Sequence, residues 1–493
     1  MTNKEQQIKN SFIYMLPIIT GSVLSFVSLS IFTRILTKVD YGVLALAQVY
    51  AVFVSGLANF GMTSAYDRNY FQYRSNPLKT AKLLYSILLF VILNFLFLAA
   101  LTFIFREILS RLIIGSAEHG NILFWAFCAQ FFIGVSYYYL SYFKNSEMAK
   151  KFVGFTIAVS IINLIASVFF VVYLHIGVIG LVYAQLCSGA IIFSVLSYKF
   201  ITTLKPSFSK SIFIESLKIS YPLTPRIFLG VISTQFDKYM IGFLATVGGV
   251  GIYSIGQRVS NTIFIFMTAI QNVFSPQVYK KMFDLEEKGG EAIGNYLTPF
   301  AYVCILVALL VSLFSEEIIS ILTPPSYHGA VDIVIILSMF YGFLFFGKLN
   351  GNQLIFMKKT HITSLLTMVG IGLNVGFNIP FIMKWGVVGA AWGTFLAGLI
   401  SGGISFVVSQ HYYEIKWKYN EIGAIFFIFF VSAILMILMR HFFVAYKFRL
   451  ILKCMAIFAY TYLGIKVKVI SIENYTLIKN MITLRRTVTS DHA

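Results

Sequence analysis

Charge is scarce along this chain, and negative charge scarcer still: 19 Asp and Glu stand against 38 Lys and Arg, and charged residues make up 12% of the sequence. So little charge cannot clothe a water-soluble globule of 493 residues. Cysteine is nearly absent. Cys128, Cys187, Cys304 and Cys454 lie far apart with no C-x-x-C spacing, and they read as small apolar packing residues rather than a disulfide framework. No D-x-D, H-E-x-x-H, phosphate-loop or dinucleotide fingerprint stands in a usable context. No catalytic residue, metal ligand or cofactor is therefore expected. The loops that would carry acid/base or metal chemistry are short, offering only Asp40, then Glu107, Glu118 and His119, then Glu316, Glu317 and His328. Glu316 and Glu317, ahead of Pro324 and Pro325, read as a solvated rim.

What is abundant is apolar length. Hydrophobic residues reach 58% and mean hydropathy is +0.82, which predicts an all-α integral membrane protein. Runs long enough to span lie near 11–33, 41–64, 81–105, 120–143, 152–174 and 177–199, then 219–244, 251–273, 297–322, 330–355, 362–383 and 386–410, then 421–440 and 445–465. At ~20 residues per crossing these make about fourteen helices. Arg440, Lys447, Arg449 and Lys453 crowd the connection between the last two. The first run is too long for a signal-peptide core and no A-x-A-like site follows it, so an uncleaved anchor is expected.

The net charge of +19 invites a nucleic-acid reading, but the basic residues sort by loop parity instead. With a cytoplasmic N-terminus, about 25 fall inside and about 9 outside, with four left within spans, the positive-inside bias. Both termini are expected in the cytoplasm, and nucleic acid is not an expected partner.

The chain also repeats itself at an offset of 209 residues. Thr37 to Gln48 aligns with Thr246 to Gln257, sharing Thr37/Thr246, Gly42/Gly251 and Gln48/Gln257. Met148 and Lys150 fall on Met357 and Lys359, and Gly177 and Gly180 fall on Gly386 and Gly389. Six spans per unit is even, so two parallel six-helix repeats are expected, related by an axis along the membrane normal. The predicted organisation is an N-terminal lobe 1–201, a linker 202–218, a C-terminal lobe 219–411, an appendix 412–468 and a cytoplasmic tail 469–493. Ile212, Phe213 and Leu217 around the linker would lie on the inner membrane face, or the segment is a plain tether.

In so apolar a chain, polar residues inside spans are the candidates for function. The seventh span carries Arg226, Gly230, Ser233 and Asp237 at helical spacing on one face, with Lys238 and Thr234 widening the stripe. The eighth carries Gln257, Asn261, Thr268 and Gln271, with Arg258 beside them. Its repeat mate, the second span, offers Gln48, Ser55 and Asn59; the fourth adds Gln130, Tyr137 and Tyr138, and the tenth adds Tyr341, Lys348 and Asn352. Asp237 either neutralises Lys238 or Arg258 or lines a cavity; Arg226 and Lys348 either snorkel to the interface or face the same cavity. Four cations, Arg226, Lys238, Arg258 and Lys348, against one clear intramembrane carboxylate point to an anionic ligand.

The stretches NSFIYMLPIITGSVLSFVSLSIFTRILTKVDYGVLALAQ, FDKYMIGFLATVGGVGIYSIGQRV and KWGVVGAAWGTFLAG resemble the Wzx-type O-antigen and polysaccharide flippases. These form the polysaccharide transporter family of the multidrug/oligosaccharidyl-lipid/polysaccharide exporter superfamily, related to MATE transporters. The resemblance implies a MATE-like fold in the bacterial inner membrane. It implies a non-enzymatic flippase that moves an undecaprenyl-diphosphate-linked glycan to the periplasmic leaflet by alternating access. The product would be O-antigen, hence lipopolysaccharide, or another surface polysaccharide. Membrane lipids, a polysaccharide polymerase and a chain-length regulator would be the partners. The four cations would hold the diphosphate; Asp237, Gln48, Asn59, Tyr137, Gln257, Asn261, Thr268 and Gln271 would line or gate the cavity. The alternatives are a drug/cation antiporter of the same superfamily, although residues 11–33 hold no acid, and a membrane polysaccharide polymerase or ligase.

Overall fold

A computed structural model describes residues 3–285 and 289–466, apart from some side chains within them; the predicted tail 469–493 lies outside the described residues. Among these residues there is helix and no strand. The helices are α1 (Asn3–Phe32), α2 (Lys38–Asn59), α3 (Met62–Tyr73), α4 (Pro77–Ile104), α5 (Arg106–Ile113), α6 (Gly120–Asn145), α7 (Ala149–Ser167), α8 (Ile179–Thr203) and α9 (Lys210–Ser220). They continue as α10 (Thr224–Leu244), α11 (Val247–Leu285), α12 (Gly289–Leu313), α13 (Ser315–Leu322), α14 (Ala330–Phe356), α15 (Thr360–Tyr412), α16 (Tyr419–His441) and α17 (Tyr446–Lys466).

Ten helical stretches among the described residues are long and apolar enough to cross a membrane, against about fourteen expected. The difference lies in four places. The apolar part of α1 is the shorter Leu16–Phe32. Helices α10 and α11 carry the polar stripes. Helix α15 is counted once but bends at Gly386, where the backbone leaves the helical region, and so holds two of the expected spans.

The duplication read in the sequence recurs in the backbone. Helices α2 and α11 start at Lys38 and Val247, one offset apart, and each is capped by the matching threonine. Thr37 Oγ1 accepts from the Asp40 amide at 3.2 Å, and Thr246 Oγ1 accepts from the Gly249 amide at 3.0 Å, each closing one orphan donor of a first turn. The short α5 and α13 occupy the same register. Gly177 and Gly386, also one offset apart, both adopt positive φ, 69° and 58°, where a Cβ would be strained. The copies differ where their residues differ. Phe60 and Gly61 turn left-handed and break α2 from α3. At the matching Ala269 and Ile270 no glycine stands, and α11 runs through.

Contacts divide the chain into two compact units. Among the described residues, those within 1–255, 319–330 and 375–390 form the first, and those within 256–318, 331–374 and 391–493 form the second. In the first, the starts of α2 and α11 cross backbone to backbone. A Cβ on Gly42 would lie 1.8 Å from the Val247 carbonyl oxygen; one on Gly251 would lie 2.0 Å from the Lys38 carbonyl oxygen and 3.0 Å from the Gly42 nitrogen. Tyr327 locks the turn before α2 by donating to the Leu36 carbonyl at 2.6 Å, and its ring stands edge-on to Tyr41. The linker is helical and packed, not a plain tether: in α9, Ile212 and Ser216 are buried. Phe213 meets Phe90 of α4 at 5.3 Å, and Asn69 of α3 donates to Ser216 Oγ at 3.0 Å.

In the second unit, α16 and α17 pack on α12. Tyr302 and Tyr460 each donate a hydroxyl to the other's carbonyl, at 3.1 and 2.7 Å. The glutamates expected as a solvated rim are instead paired, because α12 ends at Leu313 and α13 turns them toward the basic cluster. Arg449 reaches Glu316 at 2.8 Å, Arg440 reaches Glu316 at 3.5 Å and Asp332 at 2.9 Å. The fully buried Lys453 pairs with Glu317, which also accepts from Tyr446 at 2.6 Å. Burial alone would raise the Glu317 carboxyl, but the hydrogen bonds from Lys453 and Tyr446 outweigh it and hold the group below its ordinary range.

Gly42→Ala and Gly251→Ala each force backbone apart and should lower stability by about 1–3 kcal/mol. Gly154→Ala, with open space around its Cβ, should not; thermal unfolding of the purified protein in detergent separates them. Glu317→Gln strands the buried Lys453 charge and should cost ~3–5 kcal/mol, with the double variant Glu317→Gln/Lys453→Met recovering much of it. A depressed carboxylate adds stability that is full above the ordinary Glu value of roughly 4.3 and is lost as pH falls through the lowered folded value. The wild type should thus lose its advantage over Glu317→Gln only in that acid window.

Candidate functional site

The polar residues of the first unit converge on a cavity of about 360 Å³ lined by Gln48 and Val52 of α2, Gln130 and Ile133 of α6, Val159, Ser160 and Asn163 of α7, Gln185 and Ser188 of α8, and Gln235 and Lys238 of α10. Five helices thus each present a polar residue inward, the arrangement in which side-chain amides are tolerated along membrane-crossing segments. Lys238 Nζ donates to Gln235 Oε1 at 3.1 Å, one turn back on its own helix.

The stripe read on the seventh span divides between two surroundings. Asp237, ~100° around the helix from Lys238, is 6% exposed. It accepts from Tyr253 of α11 at 3.0 Å and from Asn378 of α15 at 2.9 Å. Gly230 and Ser233 are exposed. The side chains of Arg226 and Lys348 lie outside the described residues.

Asn59 and Tyr137 serve contacts within the first unit. Asn59 accepts from Tyr138 at 2.9 Å and donates to the Ser55 carbonyl at 3.0 Å, tying α6 to α2. Tyr137 donates to Asp67 of α3 at 3.4 Å, and Asp67 also accepts from Ser141 and from Asn145 at 2.9 Å. Gln257, Asn261, Thr268 and Gln271 are half-buried and Arg258 is exposed, all on the part of α11 that belongs to the second unit; Thr268 bonds its own helix at Phe264. Of the candidates read in the sequence, the structure therefore brings Gln48, Gln130 and Lys238 to one cavity.

Sequence reasoning missed Gln185, Gln235, Asn163, Ser160 and Ser188. The signal was present: Ser160/Asn163 and Gln185/Ser188 are polar pairs at i, i+3 within apolar spans, each on one face.

This helical bundle has the fold of known multi-span membrane proteins. It superposes on a lipid II flippase, MurJ, in an inward closed conformation with a TM-score of 0.71 at 17% identity, covering 93% of this chain and 99% of that one. A multidrug resistance MATE family transporter in an inward-facing conformation gives 0.61 at 16% identity, covering 82% and 95%. Likeness at such identity is of fold alone. Over residues 8–281 the chain matches the family described as polysaccharide biosynthesis protein, and it belongs to that family. It is 27% identical over 199 residues to a probable low-salt glycan biosynthesis flippase, Agl15, of Haloferax volcanii, 39% of this chain and 41% of that one. It is 34% identical over 113 residues to an uncharacterized membrane protein, MJ1068, of Methanocaldococcus jannaschii, 22% of each. The matches thus span less than half the length of these curated relatives.

Proposed function

We propose that this protein is a flippase that carries a lipid-linked oligosaccharide across the membrane by alternating access, for synthesis of a surface polysaccharide such as O-antigen. The observation that carries the reading is a polar cavity with a lysine in its wall, inside a fold shared with flippases and exporters, in a chain of the polysaccharide biosynthesis family. In this reading two six-helix lobes, 1–201 and 219–411, rock about the linker, both termini are cytoplasmic, and the membrane is the bacterial inner membrane. The cargo is an undecaprenyl-diphosphate glycan. Lys238, with Arg226, Arg258 and Lys348, holds the diphosphate; Gln257, Asn261, Thr268 and Gln271 meet the sugars. The reaction makes and breaks no bond, so no enzyme chemistry is needed.

The energetics suit an anionic cargo. With the inside negative, outward movement is favoured by ~2.3 kcal/mol per charge per 100 mV, and the emptied cationic carrier is drawn back. A polysaccharide polymerase and a chain-length regulator would act on the delivered product.

The test is surface polysaccharide in a deletion strain complemented with wild type or with Arg226→Ala, Lys238→Ala, Arg258→Ala or Lys348→Ala, at matched membrane expression. The expected result is loss of long-chain glycan on deletion, with the lipid-linked unit retained on the inner leaflet, and rescue by wild type but not by the alanine variants. Normal glycan with new sensitivity to cationic drugs would replace this reading with the antiporter.

A further inference from the structure

We propose that the cavity of the first unit is a saccharide subsite that takes one sugar ring by its hydroxyl or acetamido groups, with Lys238 set to bind an anionic oxygen on that ring or its linkage. Of the residues in this wall the diphosphate-binding role calls on Lys238 alone and leaves the amides around it without a task. The inference rests on the flippase reading for its physiological ligand, but binding itself can be tested apart from it.

The chemistry of the wall selects the ligand class. Gln48, Gln130, Gln185 and Gln235 each offer a donor and an acceptor at the end of one side chain, the pairing that neighbouring sugar hydroxyls present in return. The amides of Gln48, Gln130 and Gln185 line the cavity from three helices, and Asn163 Oδ1 in the same wall has no hydrogen-bond partner among the described residues. No carboxylate lines the cavity among the described residues, so a cationic drug or a metal ion would find no counter-charge there. The volume, about 360 Å³, falls at the small end of ligand pockets, enough for a ring and too little for a whole repeat unit. Val52, Ile133 and Val159 supply the apolar patches against which the C–H faces of a ring pack.

Saturation-transfer NMR on the full chain in nanodiscs tests this, with N-acetylglucosamine, glucuronic acid and glucose 1-phosphate as probes and glycerol as the control. Transfer to the sugars but not to glycerol is expected. Val52→Trp, which fills the cavity, and Gln185→Leu, which removes an amide, should each weaken binding about tenfold or more. Gln185→Asn keeps the amide, guards against misfolding, and should weaken N-acetylglucosamine severalfold. Lys238→Met should spare N-acetylglucosamine and weaken whichever acidic probe Lys238 serves, which separates a carboxylate from a phosphate. Absent transfer in wild type, or transfer unchanged by Val52→Trp, overturns the subsite. In the deletion strain, full rescue by Val52→Trp would also overturn it while leaving the flippase standing. A deletion that makes normal glycan would instead sink the flippase and leave the binding result to stand on its own.

Discussion

Two helices can cross backbone to backbone only where neither carries a Cβ, and Gly42 and Gly251 meet that condition at matching positions of the two repeats. Each would drive a methyl group into the other helix's first-turn carbonyl, at 1.8 and 2.0 Å. The same turns carry the duplicated caps, Thr37 and Thr246, so the start of each helix is fixed in direction as well as in place. From this crossing α2 runs past α10 and α6, and its Gln48 arrives opposite Gln130, Gln235 and Lys238. A wider crossing would open the gap between α2 and α10 and dissolve the cavity wall.

Around that crossing the polar groups divide by the kind of partner they need. Asp237 is a charge out of reach of water, and Tyr253 and Asn378 hydrogen-bond both of its oxygens, the condition under which a buried carboxylate is tolerable. Lys238, the next residue, lies in the cavity wall beside Gln235. Adjacent residues on a helix point ~100° apart, so one turn of α10 serves both a packed interface and an open space. In the second unit one cluster of charges is consumed structurally: Glu316, Glu317 and Asp332 meet Arg440, Arg449 and Lys453, which pins α16 and α17 to the body of the unit.

The helical membrane architecture was legible from hydropathy, and the duplication from three short matches, because Gly42/Gly251 and Gly177/Gly386 are positions where the backbone demands glycine. Span counting was less so, since α15 hides a bend at one glycine and α10 and α11 dilute their apolar runs with the polar residues that make them interesting. Gln48, Gln130 and Lys238 stand in the cavity wall, and each shows in the sequence as a polar residue in an apolar span. Asn59 has the same sequence signature and instead binds Tyr138. Periodicity says which face a residue occupies; it does not say whether a tyrosine stands opposite. The Glu316 and Glu317 pairs were hidden for a different reason, their partners lying more than a hundred residues on.

The most direct measurement of the central claim is transfer itself. The purified chain would be placed in liposomes loaded symmetrically with a polyprenyl-diphosphate oligosaccharide, and the fraction open to an impermeant external glycosidase followed with time. The account predicts that the inner-leaflet pool becomes accessible at a rate set by the amount of protein and slowed in Lys238→Ala. An inner pool as well protected as in protein-free liposomes would contradict it.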